Sequence, residues 1–164
     1  LFQYQGAQLA TALFPDFVPL ETSFRSIVAD GERSGIEFVI AVLRAFDGQT
    51  ALQTICREIV AVLNPDDDLL NEVAIVIDST GMVSGQFGFV EAYQKKKIEM
   101  EVWLSDPREP VRAYAERHMR GLDRAIAADQ RRGMEEQELR KRAYENLVED
   151  RDAAAAAEDA DDDQ

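Results

Sequence analysis

The stretch Thr50–Asp78, TALQTICREIVAVLNPDDDLLNEVAIVID, decides the fold. Thr50 is placed to cap a helix in which Leu52, Ile55, Ile59 and Leu63 recur at three and four residues, the spacing of one buried stripe. Asn64-Pro65 stops that helix, because the residue before a proline is pushed out of the α region. Asp66, Asp67 and Asp68 then stand at the start of a further helix, predicted from about Leu69 to Ser79. Carboxylates there can accept from free backbone N–H groups and suit the helix dipole. Upstream, Ser34 is the candidate cap of a run to Phe46, with Asp47-Gly48 as its stop. The result is a helical hairpin followed by another helix.

Outward from this centre the pattern stays helical. Leu1, Tyr4, Leu9 and Leu13 form a loose helical pattern, broken by Pro15 and Pro19. Ser23 is placed to cap a short helix through Phe24, Ile27 and Val28, which Gly31 ends. Downstream, Ser84 opens a helix to about Leu104 whose buried face is expected to carry Phe89, Tyr93, Met100 and Trp103. Its other side offers Glu91 and Lys95 at the favourable i, i+4 order. Asp106-Pro107 starts the last helix, with Val111, Ala115, His118, Leu122 and Ile126 as its seam.

Beyond Ala128 the apolar residues thin to Met134, Leu139, Tyr144 and Leu147, and Glu136–Arg140 and Glu138–Arg142 can support a solvated, projecting helix. The alanine run from Ala153 can remain helical, and the acidic end from Glu158 to Gln164 is expected to be disordered. The chain therefore divides into an N-terminal helical segment (1–33), a repeat region (34–128), a charged helix (129–152) and a disordered acidic tail (153–164).

Three helices begin alike, at Glu37-Phe38-Val39-Ile40, Glu72-Val73-Ala74-Ile75 and Glu109-Pro110-Val111-Arg112, 35 and 37 residues apart. That period belongs to helical hairpins that stack because no single hairpin can bury its own apolar face. Asp106-Pro107 in a turn, followed by Val111-Arg112 and Ala115, resembles a HEAT repeat. The resemblance covers about residues 34–128 and is clearest at Asp106–Ala115. It implies an all-α solenoid of stacked hairpins. Val111 and Ala115 would be core, and Asp106 and Arg112 part of a ladder between units.

Composition narrows the function. Hydrophobic residues make up 46% of the chain, enough for a buried core, and the net charge is −14. From Glu149 onward there are eight acids and one arginine, which leaves 24 acids against 17 bases before it. Body and tail are both acidic, and a nucleic-acid partner is disfavoured, since binding a phosphate backbone needs a basic footprint. One cysteine, Cys56, excludes an internal disulfide and suits a reducing, cytoplasmic setting. No apolar run reaches the roughly 18 residues of a membrane span. With no initiator methionine and no signal-like start, the chain reads as the C-terminal part of a larger multidomain protein, bacterial in character.

No reactive constellation emerges from spacing alone. His118 lies in a helical seam, Cys56 beside a buried stripe, and the pair is too few for a structural zinc site. Asp66–Asp68 lacks the spaced ligands and central glycine of a calcium loop. Lys95, Lys96 and Lys97, the one basic triplet, are the candidate partner contact. The competing reading is a strand from Val73 to Ile77 ending in Asp78, then a glycine loop at Gly81 and a helix, as in a fragment of an enzyme. Gly81, Gly85 and Gly88 match neither the dinucleotide fingerprint nor a phosphate-binding loop. The expectation is a non-catalytic protein-interaction or regulatory module with no cofactor, whose partner is a protein or another domain of its parent chain.

Overall fold

A computed structural model describes residues 2–14, 16–46, 52–79 and 88–161. Within them the chain is all-helical and has no strand. The helices are α1 (Phe2–Leu13), α2 (Glu21–Asp30), α3 (Arg33–Leu43), α4 (Leu52–Val62), α5 (Leu69–Asp78), α6 (Gly88–Glu101) and α7 (Glu109–Asp161). Short 3-10 turns at Val18–Leu20, Arg44–Phe46 and Val102–Ser105 precede α2, extend α3 and follow α6. The chain forms two compact units, Leu1–Ile126 and Ala127–Gln164.

In the first unit, α2 packs on α3, α4 on α5 and α5 on α6; α1 also lies on α3, α3 on α5, and α2 on α4. One continuous core runs through them, from Phe17 and Phe24 through Ile55, Ile59 and Val73 to Trp103, Val111 and Ala115. The stripe on α4 is placed as its spacing predicts. Leu52, Ile55 and Ile59 are buried, Leu63 is half-buried, and Val73 and Ile77 of α5 are buried with them. Asp67 caps α5, its Oδ1 accepting from the Leu69 N–H at 3.0 Å. Arg33, at the start of α3, reaches the same turn, donating to Asp67 at 3.0 and 3.1 Å and to Asp68 at 2.5 Å. The hydrogen bonds to Asp68 and Asp67 raise the Arg33 pKa, and the same contact with Arg33 lowers that of Asp68. Arg44, at the C-terminal end of α3, pairs with Glu72 in the first turn of α5.

Two glycines have identifiable work. Gly31 ends α2 with a left-handed φ of 70°, and its N–H donates to the Val28 carbonyl at 3.1 Å. Gly6 lets α1 lie against α3, because a Cβ there would stand 2.7 Å from the Phe38 ring.

Several expectations need correction. Ser23 is not the cap of α2, which starts two residues earlier at Glu21. On α1, Gly6, Ala7 and Ala10 are buried or half-buried, as is Phe14 just after it, while Leu9 and Leu13 face solvent. On α6, Phe89 is exposed, Tyr93 is half-buried and Val90 takes the inward position; Met100, and Trp103 in the turn that follows, are buried as expected. Apolar residues lie on every side of α6, so its periodicity could not select the inner face. Residues 73–77 belong to α5, so the strand required by the strand-loop-helix reading is absent; Gly81 lies outside the described residues, as do Asp47, Gly48, Thr50 and Ser84. Helix α7 continues to Asp161, past the point where disorder was expected to begin, while 162–164 lie outside the described residues. Alanine is the strongest helix former, and five alanines from Ala153 to Ala157 carry the helix forward.

In the second unit, α7 carries the expected Glu136–Arg140 pair, together with Asp129–Arg132. Met134, Leu139, Tyr144 and Leu147 are exposed. Deleting residues 153–164 is expected to leave the melting midpoint within about 2 °C. That segment has no apolar side chain beyond alanine with which to stabilise the folded body. A fall of many degrees in a thermal melt would show that the segment stabilises the folded body.

Trp103, the chain's one tryptophan, is buried in the 3-10 turn after α6, its ring 6.1 Å from that of Tyr114. Its fluorescence should be blue-shifted from that of free tryptophan and resist iodide. Emission like that of the amino acid in water would contradict this packing.

Candidate functional site

Helix α7 places Tyr114, His118 and Leu122 on one face at intervals of four residues, and this face meets α5. Between the two helices lies a groove of about 520 Å3, bounded by Asp66, Asn71, Ala74 and Asp78 on one side and by Tyr114, Arg117, His118 and Gly121 on the other. Tyr93 of α6 also contributes to its wall. A Cβ added at Gly121 would meet nothing within 4 Å, so the absence of a side chain there keeps the groove open rather than relieving a clash.

The polar groups on this wall are held in an ordered chain. Nε2 of His118 lies 2.8 Å from Oδ1 of Asp78, the last residue of α5. The imidazole stacks on Tyr114, with centroids 5.7 Å apart and planes 12° from parallel. The Tyr114 hydroxyl points to the Leu70 carbonyl at 3.5 Å, and burial raises its pKa well above the usual phenol value. Arg117 donates to the Pro65 carbonyl at 3.2 Å, and its guanidinium stands 5.7 Å from the centre of the Tyr114 ring. His118 is therefore a strut between α7 and α5, with only 9% of its side chain exposed, and Asp78 fixes the orientation of its ring. The site joins two residues that local spacing left unrelated, 40 positions apart. Spacing within either helix carries no signal that joins them.

A second polar centre surrounds Asp106, which is 6% exposed. Its carboxylate accepts from the Arg108 backbone N–H at 3.0 Å and from the Arg108 guanidinium at 2.8 and 2.9 Å. These bonds lower its pKa to about 2. Arg57 of α4 approaches the same carboxylate at 3.7 Å, and Arg108 reaches back to Glu58 at 2.6 Å. Arg112 donates to the Asp106 backbone carbonyl at 2.7 Å. Val111 and Ala115 are fully buried. The centre is a structural clamp between α4 and the start of α7, and Arg57 and Arg108 were not anticipated from the sequence.

The lysine triplet is divided. Lys97 pairs with Asp123 of α7, Lys96 lies 3.5 Å from Glu99, and Lys95 is exposed and makes no ion pair with Glu91. Two of the three charges are thus engaged within the molecule. Glu99 also accepts from Gln53 of α4 at 2.7 Å, tying α6 to α4. Burial pushes the Cys56 thiol up to about 12, which suits a small packed side chain rather than a nucleophile. Among the described residues no group of three His, Cys, Asp or Glu side chains is arranged to hold a metal ion, and no helix is long and apolar enough to cross a membrane. No protein-family model, characterised protein or solved structure matches the chain.

Proposed function

We propose that the chain is a protein-interaction or regulatory module of a larger cytoplasmic protein, built as a HEAT-like stack of helical hairpins. The packing of α1 on α3 on α5, with α2 on α4, supports the stack, because alternate helices meet as they do in two parallel rows. The groove between α5 and α7 carries the reading. It combines aromatic rings with a carboxylate, an amide and a guanidinium, the mixture that lets a concave surface select a protein segment. Its polar groups are already braced by one another, so a partner would meet a preformed surface.

Gly121→Phe tests this directly, since the new ring enters the groove from a position without steric conflict. Proteins captured from native extract by the wild type should be lost at least tenfold by this variant, with its circular dichroism unchanged. Identical captured sets would remove the groove from the reading.

A second reading, an enzyme site at Asp78, is favoured by one observation, the 2.8 Å contact with His118 beside the groove. A carboxylate-oriented imidazole can take a proton from a substrate or water. Turnover of activated esters that falls at least a hundredfold in His118→Gln would support it; turnover unchanged by that substitution would dismiss it.

A further inference from the structure

The groove between α5 and α7 carries negative charge at both of its ends. Asp66, in the turn before α5, stands at one end, and Asp78, the last residue of α5, at the other. Asp66 is exposed and makes no hydrogen bond or ion pair among the described residues. Its neighbour Asp67 is already engaged by Arg33, which reaches it from α3. Oδ1 of Asp78 faces His118 at 2.8 Å, and a carboxylate has about four acceptor sites, so that contact leaves room for another donor. Arg117, the guanidinium on the wall, is held by the Pro65 carbonyl at 3.2 Å and by the Tyr114 ring. The surrounding unit, Leu1–Ile126, has 19 acids against 12 bases.

Taking the groove as a docking surface for a protein segment, the geometry points to an extended, basic occupant. It carries two lysine or arginine side chains four or five residues apart, one meeting Asp66 and the other Asp78. The ten residues of α5 rise about 15 Å, which sets these carboxylates on the order of 15 Å apart. An extended chain advances about 3.3 Å per residue, so about four or five residues span that distance. Charge and desolvation select this occupant. An acidic segment would bring like charge to both ends of the groove, within a body already net negative. An apolar segment would take Asp66 and Asp78 out of water with nothing in exchange, a cost that a hydrogen-bonding cation removes.

A random library of eight-residue peptides displayed on phage, sorted in parallel on the wild type and on Gly121→Phe, is the test. Gly121→Phe fills the groove and leaves every charge in place. Peptides enriched at least tenfold on the wild type alone should carry lysine or arginine pairs four or five residues apart. The best of them, labelled with fluorescein, should bind Asp66→Asn about three- to fivefold more weakly, the contribution of one exposed ion pair. Its affinity should also fall as sodium chloride rises from about 20 to 300 mM. Groove-dependent peptides that are apolar or acidic, or a basic one indifferent to Asp66→Asn, would overturn the inference and leave the docking groove in place. Basic peptides bound equally by the wild type and Gly121→Phe would replace it with general attraction to an acidic body. If no enriched peptide depends on Gly121, the groove reading itself is lost, and this inference with it.

Discussion

Replacing Asp106 with alanine is expected to destabilise the helical body by about 3 kcal/mol, because removing one partner of a buried ion pair strands the other. Asp106 is the carboxylate toward which Arg108 and Arg57 both turn, and the buried Nε of Arg57 has no hydrogen-bond partner. Its loss leaves two guanidinium groups facing each other across a nearly closed space. The figure is placed at the low end of the usual 3–5 kcal/mol because Arg108 remains about one-third exposed and keeps Glu58. Asp106→Asn, which preserves shape and removes charge, should lose less. Urea unfolding followed at 222 nm would measure both, and a loss below about 0.5 kcal/mol for alanine would show that the clamp does not stabilise the fold.

The same group sets an acid limit. Its folded pKa is depressed to about 2 from the usual 3.8, so its contribution is complete above about pH 4 and disappears as pH falls through 2. Over that window the wild type should lose about 2 kcal/mol that Asp106→Ala does not, and the two stability curves should converge. Parallel curves down to pH 2 would assign the acid sensitivity elsewhere.

Much of this architecture is legible in one dimension, and the reasons are local. Leu52, Ile55 and Ile59 reveal α4 because three- and four-residue spacing is a property of one helix. Asn64-Pro65 and Asp67 mark the boundary between α4 and α5 because capping and proline sterics act within a turn. The contacts between Asp78 and His118, or between Arg108 and Glu58, depend on how separate helices are stacked, and spacing within either helix contains nothing about that. The triplet at Lys95–Lys97 was visible as charge, but its partners were not. Asp123 lies on another helix, 26 residues away. The exposed Leu9 and Leu13 show the converse. Leucine at helical spacing does not mark the inner face of α1: glycine and alanine occupy it, and at Gly6 the Phe38 ring leaves no room for a Cβ.

Ile59→Ala should cost about 2–5 kcal/mol, the range for deleting buried methyl and methylene groups when the surroundings relax only in part. Ile59 is fully buried on the inner stripe of α4 and belongs to the continuous core that also contains Val73 and Ile77 of α5. Helices α4 and α5 are joined by a short turn braced by Asp67 and Arg33, which limits how far they can close on a cavity. The cost should therefore lie in the upper half of the range. Two companions fix the interpretation. Ile59→Val removes a single methylene and should cost about 1 kcal/mol. Val62→Ala, on the same helix but about half exposed, should cost under about 0.5 kcal/mol beyond any change in helix propensity. Chemical denaturation of the three variants against the wild type gives the ordering. Equal losses at Ile59 and Val62 would mean that the stripe does not face the core, and the packing of α4 on α5 would have to be redrawn.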